Sequence, residues 1–74
     1  MGVQYYTHKY YDGLISRFEE IAEHPRLYQA IDAIRHGYRR SVYGVHSLYY
    51  RITPEGVTII RILRGQNPED ALPD

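Results

Sequence analysis

The chain has 74 residues, with nine Lys and Arg balanced by nine Asp and Glu, four His and no Cys. That length supports one small domain, one that removes only about 60% of its unfolded surface from water and often leans on a staple or a partner. The missing Cys excludes disulfides and thiolate metal sites, no apolar run approaches the ~18 residues of a membrane span, and residues 1–11 lack the apolar core of a secretory signal.

The first element is a helix over residues 4–24. Tyr11, Leu14, Ile15, Phe18, Ile21 and Ala22 recur at helical spacing as one apolar stripe, which Tyr6 and Tyr10 extend backwards. Asp12, Ser16, Glu19, Glu20 and Glu23 lie off that stripe. Gly13 weakens the helix by about 1 kcal/mol relative to Ala, and Pro25 ends it by biasing His24 away from helical geometry. Three Glu near the C-terminal end oppose the macrodipole, and either a solvated face or a basic partner accounts for them.

Residues 25–36 read as a loop, although Leu27, Ala30, Ile31 and Ile34 also have the spacing of a short helix. Strands are expected at 38–43, 45–52 and 57–64, where Tyr, Val, Leu and Ile dominate. On the second strand, His46, Leu48, Tyr50 and Ile52 share one face, and Ser47, Tyr49 and Arg51 the other. Thr53-Pro54-Glu55-Gly56 is a turn: Pro54 presets φ at the first corner, and Gly56 can take φ > 0. The third strand is apolar on both faces until its Arg residues, which suggests a central strand or one covered on both sides. The tail, 65–74, opens with Asn67-Pro68-Glu69-Asp70, a cap, a first-turn Pro and two acids, and supports at most one helical turn.

Neutrality conceals segregation. Residues 1–34 carry Lys9, Arg17 and Arg26 against five acids, a net −2. Residues 35–64 carry Arg35, Arg39, Arg40, Arg51, Arg61 and Arg64 against Glu55 alone, a net +5, and residues 65–74 add three acids. Arg presents a planar fork suited to carboxylates, phosphates or aromatic faces, so an Arg-only patch fits recognition; the plain alternative is that these side chains cover the solvent face of a sheet. Nine of ten aromatics are Tyr, a residue suited to small cores and to interfaces alike.

Gly37-Tyr38-Arg39-Arg40, then His46-Ser47-Leu48-Tyr49-Tyr50-Arg51-Ile52, then Ile60-Arg61-Ile62-Leu63-Arg64-Gly65-Gln66-Asn67-Pro68 resembles the ParE branch of the ParE/RelE toxin superfamily. Residues 10–25, with the Ala22-Glu23-His24-Pro25 end, look like that family's second helix. The resemblance implies an α+β fold, in which a helix left over from a helical hairpin packs on a small antiparallel three-stranded sheet. The family usually opens with a strand and a first helix, so this chain looks N-terminally truncated. It also departs from the family by having Arg64 where His is frequent and Asn67 where Asp is frequent.

The resemblance further implies a toxin of a type II toxin–antitoxin module, acting in the cytoplasm on DNA gyrase and neutralised by a cognate antitoxin. It suggests Arg39, Arg40, Tyr49, Arg51, Arg61 and Arg64 as contacts for the antitoxin or target, with Tyr49 and Tyr50 providing apolar surface there, and gives Gly37, His46, Tyr50, Pro54 and Gly56 structural roles. An acidic, amphipathic antitoxin segment would match the +5 stretch. RelE-like relatives cleave mRNA on the ribosome, which requires a base, an acid and phosphate-binding cations on one site. The last ten residues here hold no His, Tyr, Lys or Arg, and His46 suits a core or turn position bonded to the backbone. A non-enzymatic protein is therefore expected, with an mRNA nuclease or an inert antitoxin-binding form as the alternatives. His8, His24, His36 and His46 have no ligand spacing, so neither metal nor cofactor is expected. No recognition-helix or finger motif predicts sequence-specific nucleic-acid binding.

Overall fold

A computed structural model describes the backbone from Gly2 to Asp74 and the side chains from Lys9 onward. Helix α1 spans Gly2–Glu23, starting two residues before the predicted helix and ending one before. Four strands follow, β1 Gln29–Ala30, β2 Tyr38–Tyr43, β3 His46–Thr53 and β4 Gly56–Leu63, and a four-residue helix α2, Pro68–Ala71, closes the chain. The strands form one antiparallel sheet in the order β1-β2-β3-β4. The fold is thus the expected α+β arrangement, with four strands in place of three.

The extra strand comes from the segment read as loop. Gln29 and Ala30 pair with Arg40 and Arg39, and the same two Arg side chains fasten them: Arg39 Nη1 donates to the Tyr28 carbonyl at 2.7 Å, and Arg40 Nη2 to Gln29 Oε1 at 3.3 Å. Two residues carry no alternation, so periodicity could not reveal them. The helical spacing downstream is real over a single turn, where the amides of Ile34 and Arg35 both donate to the Ile31 carbonyl. Gly37 closes this loop by donating its amide to Asp32 Oδ1 at 2.7 Å.

β3 is one of the two inner strands, and both of its faces are covered. Leu14 and Ile21 of α1 pack on Leu48 and Tyr50, joined at the margin by Phe18, Tyr28, Tyr43, Val57 and Ile59. On the opposite face Tyr38, Tyr49 and Leu63 pack with Ile31 from the loop and Leu72 from the tail. The tail is therefore docked. Asn67 caps α2 by accepting from the Glu69 amide at 2.9 Å, and Tyr38 Oη donates to the Pro73 carbonyl at 2.9 Å. Arg35 holds the same segment, donating to the carbonyls of Glu69 at 2.6 Å and Leu72 at 3.3 Å and pairing with Asp74 at 3.3 Å.

Two expectations are corrected here. In the described sheet β4 stands at the edge and not at the centre, while its residues do enter both clusters, with Val57 and Ile59 on one face and Leu63 and Ile60 on the other; a bulge opposite Tyr49 and Tyr50, where Arg61 and Ile59 are the paired residues and Ile60 is extra, shapes that pattern. The apolar stripe of α1 is covered only in part. Leu14 and Ile21 are buried and Phe18 is half-buried, whereas Tyr11, Ile15 and Ala22 are exposed. Tyr6 lies outside the residues with described side chains.

The helix meets the β2–β3 hairpin through close approaches at glycines. Tyr43 lies so near Gly13 that a Cβ there would collide with its hydroxyl, and a Cβ on Gly44 would lie 2.9 Å from Tyr10 Oη. The Tyr43 ring is itself held between Tyr10, 5.3 Å away, and the Arg17 guanidinium, 5.2 Å away, so it has little room to yield. Gly13→Ala should therefore lower stability by about 1–2 kcal/mol even though Ala favours a helix by about 1 kcal/mol. Chemical denaturation checks this, and a higher unfolding midpoint for the variant would contradict it.

Candidate functional site

Strand register decides where the predicted residues lie. Arg40, Tyr49 and Arg61 stand abreast on β2, β3 and β4, and Arg51 sits two residues along β3 from Tyr49, opposite Tyr38. Direct cross-strand partners share a face, as do residues two apart. Arg40, Arg51 and Arg61 are thus on the sheet face away from α1, around the buried Tyr49. The Arg51 guanidinium lies 5.7 Å from the Tyr38 ring centroid, a cation–π contact that holds it over this face. Arg61 is exposed and, among the described residues, donates only to the neighbouring Ile60 carbonyl. Arg64 is exposed just beyond the end of β4.

The remaining predicted contacts are placed differently. Tyr49 is only 2% exposed and Tyr50 is fully buried, so neither presents apolar surface to a partner. They are adjacent on an inner strand whose two faces are both covered, which sends one ring into each core. Tyr50 Oη donates to the Pro25 carbonyl at 2.6 Å, fixing the end of α1, and burial pushes its phenol above the ordinary 10.0, with nearby Arg39 opposing the shift. Arg39 pairs with Tyr50 across the strands and so lies on the α1 face. Its guanidinium is used in holding the chain at Tyr28. Arg39→Ala should cost about 1–2 kcal/mol of stability while leaving affinity for an acidic partner within about twofold. Thermal melts and titration calorimetry separate the two effects, and a large affinity loss in a fully stable variant would return Arg39 to the binding set.

On the α1 face, a polar network fixes the helix to the hairpin. Arg17 Nη1 donates to Ser41 Oγ and to the Val42 carbonyl, both at 2.8 Å, and its guanidinium lies 5.2 Å from the rings of Tyr28 and of Tyr43. Arg17 also pairs with Glu20 at 3.4 Å, and Glu20 accepts from the Tyr28 hydroxyl. One of the three Glu near the helix end therefore has a basic partner, whereas Glu19 and Glu23 are solvated. Burial, then the hydrogen bond to Glu20, raises the Tyr28 phenol above its ordinary value. His46 is half-buried with Nδ1 2.6 Å from Tyr10 Oη; its side chain meets a hydroxyl and not the backbone group expected of it. Pro54 and Gly56 form the β3–β4 turn as predicted, with Gly56 at φ 141°.

Arg17, Arg35 and the Tyr10–Tyr43–His46 cluster were missed by sequence reasoning. Their partners lie 24 to 37 residues away, and no local pattern encodes such separations. Among the described residues, the ion pairs are Arg17–Glu20, Arg35–Asp74 and His36–Asp32. Arg40, Arg51, Arg61 and Arg64 have no carboxylate partner within that set. The face opposite α1 thus carries three Arg residues at cross-strand and diagonal positions around Tyr49, one of them held over an aromatic ring. Such a surface can take carboxylates bidentately.

A family model described as "ParE toxin of type II toxin-antitoxin system, parDE" matches residues 3–68. The chain is 40% identical over 53 residues to Toxin ParE1 of Mycobacterium tuberculosis, covering 70% of this chain and 54% of that protein. It is 44% identical over 50 residues to Toxin ParE1 of Caulobacter vibrioides, covering 68% and 51%. The chain spans about half the length of these relatives. No helix among the described residues is long and apolar enough to cross a membrane. By the extent of the family match, which takes in α1, the whole sheet and the start of α2, this chain belongs to the ParE toxin family of type II toxin–antitoxin systems.

Proposed function

We propose that this chain is the toxin of a type II module, that it acts without catalysis on DNA gyrase in the cytoplasm, and that an antitoxin neutralises it by laying an acidic segment on the Arg40, Arg51 and Arg61 face. The observation that carries the reading is the face itself: three Arg side chains on one side of a rigid sheet, with no acid paired to them among the described residues. An acidic segment gains charge-assisted hydrogen bonds there, and its affinity falls as salt screens the contact. The hydrogen-bonded Tyr10–His46 pair supports the non-catalytic part of the reading. It lies on the α1 face, so the sheet separates these groups from Arg40, Arg51 and Arg61, and the Arg17 guanidinium near it is engaged by Ser41, Val42 and Glu20. Two assays test the proposal: inhibition of supercoiling by purified gyrase, and growth on expression with and without the antitoxin. Inhibition relieved by antitoxin is expected. Codon-specific mRNA cuts with unimpaired supercoiling would replace gyrase with the ribosome as target. Normal growth with a retained complex would reduce the chain to an antitoxin-binding form.

A further inference from the structure

The register that brings the Arg residues to one face also fixes what stands between them. On the face away from α1, Tyr38 pairs with Arg51, Tyr49 with both Arg40 and Arg61, and Ser47 with Leu63. In these rows, Tyr38 on β2, Tyr49 on β3 and Leu63 on β4 form one diagonal. Arg40 falls on one side of it, and Arg51 and Arg61 fall together on the other. The diagonal is covered: its three residues are buried in one cluster with Ile31 and with Leu72 of the tail. The tail leaves β4 after Leu63 and reaches Tyr38, whose hydroxyl donates to the Pro73 carbonyl at 2.9 Å, so it crosses the face along this line. The side chains conform to the division. Arg40 leans outward to Gln29 on β1, and Arg51 rests against the Tyr38 ring from the opposite flank.

The tail is held there more firmly than exposed charges could displace it. Its departure would bare Leu72 and the Tyr38, Tyr49 and Leu63 side chains packed with it, and would break the Arg35 bonds to the carbonyls of Glu69 and Leu72. An ion pair at an exposed Arg contributes less than the burial of one such side chain. α2 also carries the exposed acids Glu69 and Asp70 on the crossing segment, where they repel a carboxylate laid over it. Given the proposed acidic antitoxin, on which this rests, we infer that the docked tail divides the basic face into two sites, Arg40 alone and Arg51 with Arg61. The antitoxin segment binds astride the tail, with carboxylates for each site and uncharged residues between them. A helix with its side chains is about 10 Å across, so at least about three extended residues bridge α2.

Titration calorimetry of the full chain with its cognate antitoxin, using Ala variants of Arg40, Arg51 and Arg61 singly and in pairs, tests the division. The methyl resonances of Leu72, shifted by the Tyr rings packed with it, report whether the tail stays docked. Each single variant should bind about threefold more weakly. The pair Arg51→Ala with Arg61→Ala should depart from the product of its singles by about threefold or more. Either one combined with Arg40→Ala should match the product within about twofold. Glu69→Gln with Asp70→Asn should tighten the complex about twofold at low salt. The Leu72 methyls should keep their ring-shifted positions in the saturated complex. Methyls that move to the positions of an unstructured chain on binding would overturn the division. So would an Arg40 coupled to Arg51 or Arg61 as strongly as those two are to each other. Three single variants that all bind like wild type would instead overturn the acidic-antitoxin reading beneath it.

Discussion

Leu48→Ala is expected to lower the unfolding free energy by about 3–4 kcal/mol, more than half the stability of a small domain at the lower end of the usual range. Leu48 is fully buried on β3, between Ser41 on β2 and Ile62 on β4, and under Leu14 and Ile21 of α1. Truncation opens a cavity exactly where the helix rests on the sheet, and the walls cannot close it. β3 is held in register on both sides, and α1 is pinned to the hairpin by Arg17 and by the tight Gly13–Tyr43 approach. Urea denaturation followed by circular dichroism gives the number. A loss below about 1 kcal/mol would mean that the helix is only loosely seated.

The second large effect concerns binding. Reversing Arg40, Arg51 and Arg61 together to Glu is expected to weaken the antitoxin complex by about a hundredfold or more, roughly 3 kcal/mol, with little change in melting temperature. The three side chains lie outside both buried clusters, so the cores persist and the stability cost is confined to the Arg40–Gln29 hydrogen bond and the Arg51–Tyr38 contact. Arg51 carries a further contact, its stacking over Tyr38, and Arg51→Lys should recover only part of its share because an ammonium has no planar fork. Raising salt from 50 to 300 mM, values on either side of about 0.1 M where the Debye length is ~10 Å, should weaken the wild-type complex more than the triple variant. Equal affinity of wild type and triple variant in titration calorimetry would locate the antitoxin elsewhere.

Much of the fold was legible because its signals are local. Pro25 ends α1, Tyr38–Tyr43 was found to the residue, and Pro54-Glu55-Gly56 marks the hairpin between β3 and β4. The elements that were misread depend on distant partners. β1 exists because Arg39 and Arg40 hold Tyr28 and Gln29, and its two residues show no pattern of their own. The double apolar face of β4 suggested a central strand or one covered on both sides; in the described sheet it stands at the edge with residues in both clusters, and the bulge at Ile60 shapes that pattern. Of the residues proposed for binding, alternation along single strands did not single out Arg40, Arg51 and Arg61, which the sheet register brings to one face. It could not show that Tyr49 is covered, because that cover comes from Leu72 and Ile31. Nor could it show that Arg39 is committed to a carbonyl across the loop. The segregation of charge was correct as arithmetic, yet the acidic tail proves to be bound in place, with Arg35 engaging Asp74 and the α2 backbone.

The central claim is that an acidic antitoxin segment lies on the sheet face away from α1. The side-chain Nε–Hε resonances of Arg in a nitrogen-15 spectrum report on it directly, recorded as unlabelled antitoxin is added to saturation. Those of Arg40, Arg51 and Arg61 are expected to shift and gain protection from solvent exchange, while those of Arg17 and Arg39, on the opposite face, stay in place. Shifts confined to Arg17 and Arg39, or none at Arg40, Arg51 and Arg61 in a saturated complex, would contradict the account.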